Sequence, residues 1–343
     1  MKFVKQKAEI IEKPESKINN IANIARICYK SENKADDESN KRLIENLIKN
    51  KHSAMLEHED YIFGVSYVFQ EQFQKRISII ESYFGVKLFL LITQNTISGN
   101  IRAWRNFYKY CFLIPAELKY IGEDLDPFPI PIAFKDNIFF NDVFENQNVS
   151  LIKSDKPYYY IQDVPELSLI EKTDLSEKMD ILAHYRISAK IICDRGISHE
   201  IVRHRNFSFA QESSRYVNYN KKGVEFIDYA EYNKLNNPML NLLVSMNNEA
   251  TTDMYNGIIN NGYEPQLARA VLPHNLKTEI VVTGNIREWL HFFNLRLFER
   301  TGKAHPLIKE LAKQLFDDFE DKTPISRNLI CSWSKELWET ENE

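Results

Sequence analysis

One stretch of the sequence, DRGISHEIVRHRNFSFAQESSRY, concentrates side chains that can bind an anion. It runs from Asp194 to Tyr216 and combines arginines, histidines and serines: Arg195, Arg203, Arg205, Arg215, His199, His204, Ser208, Ser213 and Ser214. A guanidinium holds a phosphate through two parallel hydrogen bonds, and a serine hydroxyl adds a neutral donor. This arginine cluster therefore has the chemistry to bind a phosphorylated ligand.

The residues alone leave three explanations of the arginine cluster open. The 343-residue chain has a formal net charge of -4, so the cluster is a local feature. Clustered cations repel one another unless internal carboxylates or a phosphorylated ligand neutralise them. Nucleic acid is the third option, although a protein that binds it with its whole surface is usually basic.

Several other functional motifs are absent, incomplete or wrongly spaced. The ten glycines never occur as GxG, so the Rossmann dinucleotide fingerprint is missing. Gly257 and Gly262 have P-loop spacing, but Tyr263 stands where the lysine is needed. His199 and His204 are five residues apart, which on a helix turns the second ring roughly 140° away from the first. We therefore expect no metal site.

The cysteines and the first residues indicate a cytoplasmic protein. The four cysteines lie far apart without a CxxC pair, which fits a reducing compartment: Cys28, Cys111, Cys193 and Cys331. The segment MKFVKQKAEIIEKPESK is charged throughout and lacks the apolar core of a signal peptide. No apolar run approaches the roughly 18 residues of a membrane-spanning helix. We expect neither a membrane nor a nucleic acid as partner.

The hydrophobic pattern intersperses helices and strands without a regular βαβ alternation, which indicates an α+β protein. Predicted helices cover 17–30, 39–50, 101–112, 198–206, 239–261, 286–298 and 305–319, with a short one opening at Pro265. Predicted strands cover 61–69, 86–93, 185–194, 224–229 and 278–284, with an extended or looping stretch at 207–219.

Residues 113–177 differ from the rest of the chain. Half of the 12 prolines fall there: Pro115, Pro127, Pro129, Pro131, Pro157 and Pro165. Aromatic residues also run through it, and they need a surface to pack on: Phe128, Phe134, Phe139, Phe140, Tyr158, Tyr159 and Tyr160. We interpret it as an irregular insertion with short strands rather than as a linker.

The sequence also contains an internal repeat. SGNIRAWRNF at 98–107 and TGNIREWLHF at 283–292 each follow an apolar strand and open a helix. Such a turn leaves backbone N–H groups at the helix N-terminus that can hold an anion. Alternatively, each copy is a capped turn over a packed tryptophan, Trp104 or Trp289.

The arginine cluster resembles the flavin-dependent thymidylate synthase family, whose members carry an RHR triplet, seven residues and a serine. Here the motif is Arg203, His204, Arg205 and Ser213. Further segments are similar to the family in the same order: HSAMLEH (52–58), ARAVLPHN (268–275) and TGNIREWLHFFNLR (283–296). The resemblance implies one domain over 1–343 with a central, mainly antiparallel sheet and flanking helices. It covers 15–65 and 180–315 and leaves an insertion at about 66–178.

The resemblance implies an FAD-dependent methyltransferase that converts dUMP to dTMP. Methylenetetrahydrofolate would be the carbon donor and NAD(P)H-reduced FAD the hydride source, with NADPH as co-substrate. The family also implies a homotetramer whose FAD sites are shared between subunits.

Individual roles follow from the same resemblance. FAD would be bound by His52, Arg203, His204, Arg205, Gln211, Asn285, Arg287 and His291. The substrate dUMP would be bound by Glu200, Arg203, Gln211, Ser213, Ser214, Arg215, Arg269 and Arg296. Arg215 and Arg269 would hold the phosphate, and Arg296 would be the catalytic residue that favours an electron-rich pyrimidine. We expect no cysteine nucleophile.

Some positions depart from the family pattern. Glu200 stands where many members have Gln, Ala210–Gln211 where they have Asn-Glu, and Lys303 where a His is often found. A carboxylate at Glu200 is unfavourable near a phosphate unless it pairs with an arginine. In the first repeat Cys111 aligns with Arg296, so we expect that copy to be structural; the alternative is that it binds part of FAD or the folate.

Two rival functions remain on the sequence. One is a non-catalytic protein that binds RNA or a nucleotide with the arginine cluster. The other is a flavin-dependent relative that methylates uracil in RNA.

Overall fold

The computed structural model describes residues 2–93, 96–113, 130–134, 137–145, 158–160, 174–229, 237–323 and 325–342. The chain folds into two compact units. Met1–Asn40 and Ile187–Glu343 form the terminal unit, and Lys41–Arg186 form the central unit. The domain boundaries expected from the sequence stay a prediction.

The strands are β1 (Lys2–Val4), β2 (Lys7–Ile10), β3 (Asp60–Val65), β4 (Leu91–Thr93), β5 (Thr96–Asn100), β6 (Tyr158–Tyr160), β7 (Arg186–Asp194), β8 (Ser208–Gln211), β9 (Glu225–Ile227) and β10 (Lys277–Asn285). The helices are α1 (Lys17–Tyr29), α2 (Asp37–Lys49), α3 (Tyr67–Phe84), α4 (Ile101–Leu113), α5 (Asn141–Phe144), α6 (Leu175–Ala183), α7 (Arg195–Ile201), α8 (Tyr219–Lys222), α9 (Pro238–Asn260), α10 (Pro265–Ala268), α11 (Ile286–Arg296), α12 (Pro306–Lys322) and α13 (Arg327–Asn342). Short 3-10 helices cover Glu32–Lys34, Ser53–His58, Ile132–Phe134 and Arg269–Val271. Among the helices of these described ranges, none is long and apolar enough to cross a membrane.

The terminal unit is built around a four-stranded sheet in the order β2, β7, β10, β8, with a separate parallel pair of β1 and β9. Strand β2 runs antiparallel to β7, and β8 antiparallel to β10. The outer edge of β2 is covered by α12, which supplies side-chain acceptors for its backbone. The Ala8 N–H donates to Gln314 at 2.8 Å and the Ile10 N–H to Asp318 at 2.5 Å. These bonds satisfy edge donors that would otherwise invite another strand.

The central unit has its own antiparallel sheet, in the order β4, β5, β3, β6. Every residue of β3 is buried. An aromatic core joins the sheet to α3 and α4, and its rings pack mainly edge to face: Phe63, Phe73, Trp104, Phe107 and Phe134. Mixed helices and mainly antiparallel strands confirm the predicted α+β class.

Three predicted elements are wrong in part. The strand predicted at 61–69 ends at Val65, and α3 follows over 18 residues. Ser66 causes the switch, because its side chain accepts from the Phe69 N–H and caps the helix. The strand predicted at 86–93 is limited to Leu91–Thr93. The helix predicted at 198–206 is Arg195–Ile201, because Asp194 caps it earlier.

The segment expected to be an insertion is described only in parts. Phe134, Phe139 and Phe140 are buried, which confirms for these rings the expected need for a packing surface. The other predicted features lie outside the described residues: Pro115, Pro127, Pro129, Pro157, Pro165 and Phe128. Residues 158–160 form the strand β6 at the edge of the central sheet.

Both copies of the repeat are capped turns over a buried tryptophan. Asn100 accepts from the Ala103 N–H and Asn285 from the Glu288 N–H, each at 2.8 Å. The two tryptophans are fully buried, and each indole donates to a carbonyl of the neighbouring strand. Trp104 donates to Tyr61 at 3.2 Å and Trp289 to Ile187 at 3.1 Å.

Gly284 is required by close packing. A Cβ on this residue would lie 2.1 Å from the Phe207 ring. We therefore expect Gly284→Ala to lower the free energy of unfolding by about 1–3 kcal/mol, the usual cost of overpacking. Gly257→Ala is the matched control, because nothing lies within 4 Å of the added methyl group and α9 gains helix propensity. Urea denaturation checks both; equal stabilities would contradict the packing argument.

Candidate active site

The RHR triplet lies in the turn between α7 and β8. Helix α7 starts directly after β7, where Asp194 accepts from the Ile197 N–H at 2.6 Å. The helix ends at Ile201, so the triplet is free of helical geometry. Arg203 and Arg205 are exposed, whereas the His204 ring is half-buried against Phe292, with ring centroids 5.0 Å apart.

His204 and Arg296 meet although they are far apart in the sequence. The Nε of Arg296 donates to Nε2 of His204 at 3.0 Å, so His204 must be neutral and carry its proton on Nδ1. Burial, aided by the charges of Arg296 and His291, lowers the pKa of His204 to about 4. The imidazole therefore remains an acceptor for Arg296 at neutral pH.

Glu200 completes this group. Its carboxylate lies 3.4 Å from Nη1 of Arg296. The sequence required Glu200 to pair with an arginine if it lies near a phosphate, and Arg296 is that partner. The pair is partly exposed, since the Arg296 side chain is 21% and the Glu200 side chain 36% accessible, so it orients Arg296 more than it stabilises the fold.

Four further arginines of the predicted site have no acidic partner within the described part of the chain. No described carboxylate lies within ion-pair distance of Arg203, Arg205, Arg215 or Arg269. Arg215 donates to the neutral amide of Gln266 at 3.2 Å, and its guanidinium lies over the Tyr216 ring. Internal salt bridges therefore do not explain these four cations.

Gln211 and Ser213 lie at the end of β8 and are fixed by neighbouring elements. The Gln211 amide donates to Ser198 at 2.8 Å and to Thr278 at 3.2 Å. The Ser213 N–H donates to the Cys28 carbonyl at 3.0 Å. The Ser213 hydroxyl oxygen accepts from the Arg215 N–H, so this segment also positions Arg215.

The buried carboxylate of Glu212, between Gln211 and Ser213 in the chain, holds this segment in place. Glu212 is 1% exposed and accepts from the Tyr219 hydroxyl at 2.7 Å. Lys30 and Lys277 lie 3.4 and 3.6 Å from its oxygens. Its backbone N–H donates to the Glu279 carbonyl at 2.7 Å. Sequence reasoning missed this charge cluster; its one available signal was an acid inside a motif of cations.

Asn285, Arg287 and His291 lie on the first turns of α11. The Asn285 side chain caps the helix, and the Glu288 carboxylate accepts from the Asn285 N–H at 2.9 Å. This capping box uses two of the donors at the helix start and adds a negative charge. The turn is therefore capped by side chains, as one of the two interpretations of the repeat expects. Arg287 is exposed. The charge of His291, also on α11, contributes to the lowered pKa of His204.

His52 is the one predicted site residue in the central unit. It is exposed and precedes the 3-10 helix Ser53–His58. All other predicted site residues lie in the terminal unit.

The cysteines are poor nucleophiles in this fold. Burial raises the pKa of Cys28 and of Cys111 to about 12, and it raises the pKa of Cys193 further. Cys331 is exposed on α13. Within the residues that the structure describes, no group of three or more metal-binding side chains converges.

The lowered pKa of His204 predicts a pH dependence of stability. In the folded protein the His204 imidazole stays unprotonated down to about pH 4. In the unfolded chain the same imidazole binds a proton below its ordinary pKa of 6.5. Stability is therefore lost as the pH falls from 6.5 towards 4. Between pH 7 and 5 we expect His204→Gln to lose about 1–2 kcal/mol less unfolding free energy than the wild type.

Urea denaturation at the two pH values measures this difference. Ser213→Ala is the control, because it alters the site without removing a titrating group and should keep the wild-type pH dependence. A His204→Gln variant with an undiminished loss would show that His204 is not buried in its neutral form.

Comparison with known proteins relates this site to a family. The family model of the thymidylate synthase complementing protein, Thy1, matches residues 9–81 and 147–325. The flavin-dependent thymidylate synthase of Pyrococcus furiosus is 35% identical over 152 residues, which cover 42% of this chain and 57% of that protein. That of Corynebacterium diphtheriae is 27% identical over 203 residues, covering 52% and 74%.

Among solved structures, the chain is similar to PolB from Streptomyces cacaoi, a UMP/dUMP methylase bound with 5-Br UMP. The TM-score is 0.42 and the identity 18%, over 49% of this chain and 83% of PolB. The matched region of the Pyrococcus relative is less than two thirds of its length. Because the family model accounts for well over half of the chain, the predicted membership is confirmed: the protein belongs to the Thy1 family of thymidylate synthase complementing proteins.

Proposed function

We propose that the protein is a flavin-dependent thymidylate synthase that methylates dUMP to dTMP. Methylenetetrahydrofolate would be the carbon donor and NADPH the reductant. The observation that carries the proposal is the Arg296–His204 contact within the exposed RHR turn, in a unit where four arginines have no described acidic partner. A fold that leaves such charge unneutralised is prepared for an anionic ligand.

The phosphate of dUMP would be bound by Arg215 and Arg269. Arg215 is held from behind by Gln266, which leaves the rest of its guanidinium for a bidentate contact. The hydroxyls of Ser213 and Ser214 would add neutral donors. Gln211 would approach the nucleotide from β8, where Ser198 and Thr278 fix its amide.

The donor set also fits FAD. Exposed Arg203 and Arg205 can bind its diphosphate, and neutral His204 can lie beside its uncharged ring system without repulsion. Asn285, Arg287 and His291 on α11 would complete the contacts of the terminal unit, and the family resemblance adds His52. FAD supplies the hydride that the methylation needs, so the protein itself contributes position and charge.

Arg296 would act on the pyrimidine. Its Nε and Nη1 atoms are occupied by His204 and Glu200, which fixes the direction of the guanidinium plane. A cation held in this way stabilises negative charge that develops on the uracil ring, and it needs no reorganisation during the reaction. His204 is a positioning residue in this account, because it acts through Arg296.

A homotetramer is part of the proposal. Helix α9 carries an exposed apolar stripe at helical spacing, which is typical of a protein contact surface: Met239, Leu242, Leu243, Met246 and Met254. Light scattering would then give the mass of four chains. A cytoplasmic location stays a prediction from the sequence.

Turnover of the purified protein tests the function. We expect a yellow protein that forms dTMP from dUMP when methylenetetrahydrofolate and NADPH are added. A colourless protein with salt-sensitive RNA binding would favour the binding-protein rival instead. Methylation of uracil in RNA, without turnover of free dUMP, would favour the other.

Substitution of Arg296 tests the assigned catalytic role. We expect Arg296→Ala to keep its FAD and to lose about 100-fold or more in turnover, as for other charge-stabilising donors. Arg327→Ala is the matched control, because it removes a guanidinium of α13 that already pairs with Asp317 and Glu320 of α12, and it should keep normal turnover. Near-normal turnover of Arg296→Ala would remove it from the mechanism.

A further inference from the structure

Five consecutive elements of the central unit have counterparts in the same order in the terminal unit, where α8, β9, α9 and α10 are inserted between the third and the fourth. In the terminal unit these are β7, α7, β8, β10 and α11, and in the central unit β3, α3, β4, β5 and α4. In each sheet the strand that carries the repeat lies between the other two: β10 between β7 and β8, and β5 between β3 and β4. The repeat in the sequence is therefore part of a larger duplicated module.

The first helix of each module starts at a side-chain cap. Asp194 caps α7 and Ser66 caps α3. Counting ten residues from each cap reaches His204 in the terminal unit and Arg76 in the central unit.

The second helix gives a matching position. Counting eleven residues from the capping Asn285 and Asn100 reaches Arg296 and Cys111. In both modules the two positions so reached are in contact. Arg296 donates to His204 at 3.0 Å, and Arg76 is hydrogen-bonded to the Cys111 thiol.

The arginine of this contact stands on different helices in the two modules. In the terminal unit it stands on the second helix at Arg296, which is partly exposed. In the central unit it stands on the first helix at Arg76, which is 2% exposed and faces a buried thiol. Burial raises the pKa of Cys111 to about 12, so the thiol keeps its proton. The contact between Arg76 and Cys111 is thus buried in the core and offers no exposed group to a ligand.

The remaining arginines of the central module are neutralised internally. Arg102, the equivalent of Arg287, forms an ion pair with Glu57. Arg105 binds the Asp142 carboxylate through both terminal nitrogens at 2.7 and 2.8 Å. This is the opposite of the terminal unit, where four arginines lack a described acidic partner.

We infer that the chain contains two copies of one ligand-binding module, of which only the terminal copy binds. In the central copy the cation has moved into the core, and Glu57 and Asp142 take the place of an anionic ligand. The central copy therefore holds no phosphorylated ligand, and every such ligand binds in the terminal copy. The identity of that ligand rests on the proposed function.

Binding stoichiometry tests the inference with two probes, FAD and inorganic pyrophosphate. Calorimetric titration of the protein freed of bound flavin should give the same number of probe molecules per chain in the wild type and in variants of the central copy. The double variant Asn100→Ala/Arg102→Ala should keep that stoichiometry, and affinity should change less than twofold. Arg203→Ala should weaken both probes at least tenfold. Arg102→Gln is the second central variant, because it leaves the helix cap at Asn100 intact; circular dichroism confirms folding.

The possible outcomes separate the inference from the proposed function. Fewer bound probe molecules per chain in folded Arg102→Gln than in the wild type would overturn the inference even in a protein that forms dTMP. Pyrophosphate binding that Arg203→Ala abolishes, in a protein that forms no dTMP, would leave the inference standing and sink the synthase. Binding of neither probe would contradict both.

Discussion

Unneutralised positive charge is the constraint on which the terminal unit depends. Four arginines of this unit have no described carboxylate within ion-pair distance: Arg203, Arg205, Arg215 and Arg269. Their positive charge has no internal partner among the described residues, although the net charge of the chain is -4. The acids of the unit are directed elsewhere, so the imbalance is a property of the fold and not of the composition.

Acids of the terminal unit pair with lysines in a buried cluster around Glu212. Glu212 and Glu279 take lysines as partners: Lys30, Lys190 and Lys277. Burial opposes ionisation of Glu279, but hydrogen bonds from Lys190 and Lys277 lower its pKa to about 2. Removal of one partner from this cluster would be strongly destabilising, because it leaves an uncompensated buried charge. The cluster anchors the segment that carries Gln211, Ser213 and Arg215.

Local signals made most of the fold predictable from the sequence. Helix α12 follows from the spacing of Leu307, Leu311 and Leu315, and both repeat turns follow from an asparagine cap. Helix α3 was missed because aromatic and β-branched residues after Tyr61 favour a strand until Ser66 caps a helix. The short strands β1 and β2 exist only through pairing with distant β9 and β7, and such pairing leaves no local pattern.

For the site, the sequence predicted which residues matter but not how they are held. The motif named the arginines, whereas the Arg296–His204 contact joins residues 92 positions apart and depends on the sheet between them. The most direct test compares dUMP with deoxyuridine, which lacks the phosphate, in calorimetric titrations at low and high salt. The account predicts at least about 100-fold tighter binding of dUMP at low salt, from two charge-assisted contacts of roughly 1.5–3 kcal/mol each, and a narrower gap at high salt. Equal affinities at every salt concentration would contradict it.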